Sequence, residues 1–156
     1  MKRVLRMTFA VLAIAAIALG ADNTLGTWKY NAAKSKPAPG VSPLKNLTLV
    51  REAAGGGVKQ TAKGERADGT KIENSYTAKY GGEEVMLSGT GIAWDMTGVK
   101  QVNANTFTEE RSKMGGKYKA TARGVISADG KTMTVTSKGT DADGKAFTST
   151  LVFDKQ

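Results

Sequence analysis

Side chains able to do chemistry are sparse in this sequence, and two residue types are missing: there is no His and no Cys. That removes the Ser-His-Asp arrangement, the thiolate nucleophile and every zinc, copper or haem centre held by His or Cys. Carboxylates remain. Glu83-Glu84 and Glu109-Glu110 are adjacent pairs, but neighbours on an extended strand face opposite sides, so neither makes a cooperating acid–base dyad. A lone Tyr or Glu in an apolar pocket would suffice to isomerise or cyclise a hydrophobic substrate. The expectation is nevertheless a protein that is not an enzyme. Asp141-Ala142-Asp143-Gly144 starts like a calcium loop, but the Glu that should close it is absent and a strand follows. Gly55-Gly56-Gly57 lacks the Lys-Ser/Thr and the helix of a phosphate loop. Neither metal nor cofactor is expected.

Arg111 is the charge with most to say. Along Thr106 to Met114, alternation puts Phe107, Glu109, Arg111 and Lys113 on one face and Thr106, Thr108, Glu110, Ser112 and Met114 on the other. If Phe107 points inward, Arg111 does too, and a buried guanidinium must be paired or bind an anion. With Tyr76 or Tyr118 it would hold a ligand carboxylate in its planar fork. The opposite register buries Thr106 and Thr108 and leaves Arg111 on the surface. The sequence leaves both open.

The elements that carry these residues are strands. Lys71 to Tyr80 alternates strictly, with Ile72, Asn74, Tyr76, Ala78 and Tyr80 on one face. Ala67-Asp68-Gly69, Ala128-Asp129-Gly130 and Ala142-Asp143-Gly144 end in Asp-Gly, the hairpin signal whose two central residues take positive φ in its tightest form. Three Pro fall within residues 31–43, which reads as a loop. Beyond Pro43 every connection is hairpin-short. The expected fold is all-β: an antiparallel up-and-down β-barrel of eight to ten strands, in one domain over residues 21–156. Closure would remove the edges that strands rich in Thr and Val otherwise expose. A two-sheet sandwich is the alternative, with 31–43 as its long connection.

On the inward faces, bulky residues such as Trp28, Tyr76, Trp94, Phe107 and Tyr118 alternate with Ala, Gly, Ser and Asn. A barrel of this size is either filled by its side chains or holds one small ligand, and the mixture leaves both readings open.

Residues 1–20 read as a secretory signal peptide. Lys2, Arg3 and Arg6 precede an apolar run from Thr8 to Leu19, and Ala18-Leu19-Gly20 offers a cleavage site. The run is too short for a comfortable membrane span. The leader style implies bacterial export, to the periplasm or beyond. Without those three positives, the net charge of +9 falls to +6. The lysines are spread over nearly every strand, with no aromatic-interleaved basic stripe, so no specific nucleic acid partner is expected.

Gly26-Thr27-Trp28 opens the first strand. A Gly-x-Trp there resembles the first motif of lipocalins and their calycin relatives. Extended through Lys29, Asn31 and Lys34-Ser35 into the Pro-rich loop, the stretch is similar to a group of small exported bacterial proteins with lipocalin-like barrels. The resemblance implies that Trp28 caps the closed end of the barrel, against an Arg from a late strand. Arg123 is the only Arg after Arg111. The family's Thr-Asp-Tyr-like loop and its C-terminal helix are missing. The resemblance implies a fold and a capacity to bind ligands.

These readings converge on an exported, monomeric barrel without a transmembrane segment. It would hold a small apolar or anionic amphipathic ligand through Trp28, Tyr76, Trp94, Arg111 and Tyr118. The alternative is an envelope interaction or stress module with a filled barrel and no small ligand.

Overall fold

The structure, a computed structural model, describes residues 21–156. The leader expected over residues 1–20 lies outside them. The period of two is realised in space. On β4 (Lys71–Lys79), Ile72, Asn74, Tyr76 and Ala78 are buried, while Lys71, Glu73, Thr77 and Lys79 are exposed. On β9 (Lys119–Ile126) every second residue is buried, from Ala120 to Ile126. The remaining strands are β1 (Gly26–Tyr30), β2 (Leu44–Ala54), β3 (Gly57–Arg66), β5 (Gly81–Met86), β6 (Ser88–Thr90), β7 (Met96–Asn103), β8 (Thr106–Ser112), β10 (Thr132–Thr140) and β11 (Ala146–Lys155).

These eleven strands form one antiparallel sheet in the order β5-β7-β8-β9-β10-β11-β1-β2-β3-β4-β6. The first and last strands seal one side: Trp28 of β1 lies opposite Leu49 of β2 and Lys155 of β11. The other side is bridged by a single bent run. β5 pairs with β7 from Gly81↔Lys100 to Met86↔Met96, and then β6 pairs back onto β4 through Glu73↔Thr90, Asn74↔Gly89 and Ser75↔Ser88. With β5 and β6 counted as two halves of that run, the barrel has ten staves and is nearly closed. Hairpins join β2 to β3, β3 to β4 and each successive pair from β7 to β11. The long segment 31–43 joins the paired β1 and β2, and β4, β5, β6 and β7 are joined by connections between unpaired strands. Among the described residues no pair of stacked open sheets forms.

The Asp-Gly turns differ from expectation in one respect. Only the glycine of each takes positive φ, at 87°, 72° and 85° for Gly69, Gly130 and Gly144, and among the described residues no non-Gly residue does. The amides of Gly69 and Gly144 donate to the carbonyls of Arg66 and Asp141. The loops at Gly69 and Gly144 span three residues, closed by Arg66 N–H to Thr70 O and Asp141 N–H to Lys145 O, while the one at Gly130 spans four, closed by Ser127 N–H to Thr132 O.

One end of the barrel is shut by the segment before β1. The Asn23 amide donates to the Ala104 carbonyl at 2.9 Å, and Trp28 Nε1 donates to the Thr24 carbonyl at 3.0 Å. Tyr80 donates its hydroxyl to the Asp22 carboxylate. Half-burial and this bond to an anion push the Tyr80 hydroxyl up to about 12. Trp28 is fully buried here. The cation over its ring is Lys155, whose Nζ lies 5.0 Å from the centroid. Arg123 is exposed on the outer face of β9, so the Arg that the lipocalin resemblance implies against Trp28 is not there, and Lys155 of the last strand stands over the ring instead.

Candidate ligand-binding cavity

A cavity of about 330 Å³ occupies the other half of the barrel, at the small end of the range of ligand pockets. Loop residues Pro37–Ser42, Ile92–Trp94 and Asp141–Asp143 frame its mouth, at the end opposite the β1 plug. Leu47, Leu49, Ile72, Val135, Leu151 and Phe153 give it apolar walls. Alternation on β2, β4, β10 and β11 carries these side chains inward, so the cavity follows from the strand pattern.

Three aromatic rings stand on its wall toward the mouth. Trp94 stacks on Tyr118 with centroids 5.5 Å apart and planes at 20°. Tyr118 in turn meets Phe147 at 5.8 Å. The Arg111 guanidinium lies over the Trp94 ring, 4.7 Å from its centroid.

The floor is ionic. Phe107, Glu109 and Arg111 of β8 all point inward and line the cavity, which resolves the register of that strand. Glu109 is 2% exposed. Its Oε2 accepts from Arg111 Nε at 2.9 Å and Nη2 at 2.6 Å. Its Oε1 accepts from the Tyr76 hydroxyl at 2.8 Å and from Arg51 Nη1 at 3.3 Å. Arg51, 1% exposed, also donates to Gln60 Oε1 at 2.5 Å and stacks on Phe107 at 4.0 Å. Arg111 Nη1 reaches Ser137 Oγ at 3.4 Å.

β8 and β2 are five staves apart in either direction round the barrel. The Arg51–Glu109 pair therefore spans the lumen. Gln60, Glu109, Arg111 and Ser137 face the cavity, while Arg51 and Tyr76 lie behind them. Beyond that band the interior is packed by Val58, Tyr76, Ala78 and Val99.

Burial alone would raise the Glu109 carboxyl. The Arg111 and Arg51 charges, with hydrogen bonds from Arg111 and Tyr76, outweigh it and hold Glu109 below the usual carboxylate range. Tyr76 is driven far up, first by burial and then by the adjacent Glu109 charge. Burial likewise raises Tyr118. Arg111 is held firmly cationic: burial opposes its charge, but Glu109 more than compensates.

Of the five residues singled out in the sequence, Trp94, Arg111 and Tyr118 meet on the cavity wall. Tyr76 sits behind the floor and reaches the cavity only through Glu109. Trp28 stands apart as a structural plug. Arg111 already grips a carboxylate, and it belongs to the chain itself. Sequence reasoning missed Arg51, although Leu47, Leu49 and Arg51 share one face of β2 by simple alternation.

Fold and cavity together define a calycin-like antiparallel barrel with room for a small molecule. No protein-family model matches the chain, and no curated protein matches it. Among solved structures, EF1p2_mFAP2b bound to DFHBI aligns with a TM-score of 0.50 at 11% identity, over 86% of this chain and 94% of that one. At such low identity the likeness is one of fold.

Proposed function

We propose that this protein is an exported carrier or sensor that holds one small amphipathic molecule inside its barrel. The observation that carries this reading is the cavity itself: a mouth framed by loops, aromatic and apolar walls, and a polar floor in place of a filled core. The solved barrel that aligns with it is a complex with DFHBI, which supports the reading without naming a ligand for this chain. The role is binding without catalysis. Glu109 has cations on both oxygens, and the Tyr76 proton is committed to it, so neither is poised as a base. Export follows from the leader-like residues 1–20. With its barrel nearly closed, the protein acts as a monomer.

Trp94 gives the test its readout, because it lines the cavity while Trp28 does not. The neutral fluorophore N-phenyl-1-naphthylamine is expected to bind with one-to-one stoichiometry and to quench tryptophan emission. In Trp94→Phe the quenching should fall by more than half while the probe still binds. Absence of saturable binding would contradict the proposal.

A further inference from the structure

The floor of the cavity is unbalanced in charge. Arg51 and Arg111 bring two positive charges and Glu109 one negative, and among the described residues these are the ions that meet in the band across the lumen. The other carboxylates on the cavity wall, Asp141 and Asp143, belong to the mouth turn, where Arg66 is also on the wall. Asp141 there accepts the backbone N–H groups of Asp143 and Lys145.

The floor is equally unbalanced in hydrogen bonds. Among the described residues, Arg51 Nε and Nη2 are buried without an acceptor. Gln60 turns its carbonyl oxygen to Arg51, which leaves its NH₂ group to donate. Arg111 Nη1 has a long contact of 3.4 Å to Ser137. Donors outnumber acceptors, and one positive charge is uncompensated in a place where an unpaired charge is costly.

Resting on the reading of this cavity as a ligand site, we infer that its ligand is a monoanion whose carboxylate or sulfonate sits on the floor at Arg111, beside Gln60 and Ser137, with Glu109 staying in place. One negative charge brings the band to neutrality. An acceptor-only head group meets the donors that face the cavity, the Gln60 NH₂ and Arg111 Nη1, while the Arg51 charge acts on it from behind the floor, and the apolar body of the ligand lies along the walls toward Trp94 and Tyr118. A cationic head would add to the surplus charge. Glu109 sets the stoichiometry: without it the floor would call for two negative charges, and with it one suffices.

The test compares two probes that differ by a sulfonate, 1-anilinonaphthalene-8-sulfonate and neutral N-phenyl-1-naphthylamine, titrated into the full-length folded protein at neutral pH. The expected result is a preference for the anion of about tenfold or more in Kd. That preference should survive in Arg123→Gln, which removes a charge from the exposed face of β9, and collapse toward unity in Arg111→Gln. Equal Kd values for the two probes, or a preference for the neutral one, overturn the inference while leaving the cavity reading intact. So does a preference that falls equally in both variants, since that would mark general surface attraction. Binding of neither probe overturns both readings. If Arg111→Gln fails to fold, the wild-type ratio and its survival in Arg123→Gln decide the matter.

Discussion

Glu109 is the residue on which the interior turns. It draws Tyr76 of β4 and Arg51 of β2 from elsewhere around the lumen into one band with Arg111 of its own strand, and each of its oxygens accepts two hydrogen bonds. Glu109→Gln leaves two buried guanidinium groups with no counter-charge. It should lower stability by about 3–5 kcal/mol, the usual cost of breaking a buried pair, measured by urea unfolding at neutral pH. The wild-type pH dependence follows from the same group. The folded state holds the Glu109 carboxyl below its unfolded value, so its contribution is complete above the ordinary carboxylate range. It fades as acid titrates first the unfolded and then the folded form. The Gln variant should therefore lose less stability than wild type between neutral pH and acid. An equal acid loss in both would contradict the assignment.

How much of the site could be read from sequence also shows at this scale. Inward orientation of Arg111 follows from Phe107 by alternation once Phe107 is placed, but the placement needed a partner strand. Arg51 lay within the same logic, two residues beyond Leu49. A charge following an apolar alternation looks like the point where a strand meets solvent. Its counter-ion is 58 residues away on the diametrically opposite stave, and no local pattern reports that distance.

At the scale of elements, β8 and β9 position the floor through a close fit. Phe107 lies opposite Gly124, and a Cβ built on Gly124 would come within 2.2 Å of the ring. The ring thus occupies the space that a side chain on β9 would need, and its other neighbour is the Arg51 guanidinium at 4.0 Å. Gly124→Ala forces Phe107 off its seat and with it the Arg51–Glu109 contact. The expected cost is about 1–3 kcal/mol, the range for overpacking a filled site, read as a lowered thermal midpoint. An unchanged midpoint would mean that the ring is not held there. The hairpins themselves were legible because glycine alone takes the left-handed position each turn requires. The turn type was not, since the same Asp-Gly pair serves a two-residue loop and a three-residue loop alike. The bend that divides β5 from β6 was also hidden. It arises where one run changes partners from β7 to β4, and only the assembled sheet shows that exchange.

At the scale of the whole molecule, alternation and short connections favoured an antiparallel barrel over a two-sheet sandwich, and the barrel forms nearly closed because most sequence neighbours pair in space and the first and last strands have each other as partners. Whether the lumen was hollow could not be foretold. That depends on the level at which large and small side chains fall once ten staves are wound with their actual stagger. Here the large ones gather around Trp28 at the plugged end and around Phe107 in the middle, while Ala62, Ser137 and Ser149 leave space toward the mouth. The central claim is that this space is occupied in life. Native mass spectrometry of the protein purified from its own host, without denaturation, tests it most directly. The account predicts a population carrying one discrete added mass of a small molecule, lost when the same sample is unfolded. A spectrum showing the mass of the bare chain alone would contradict it.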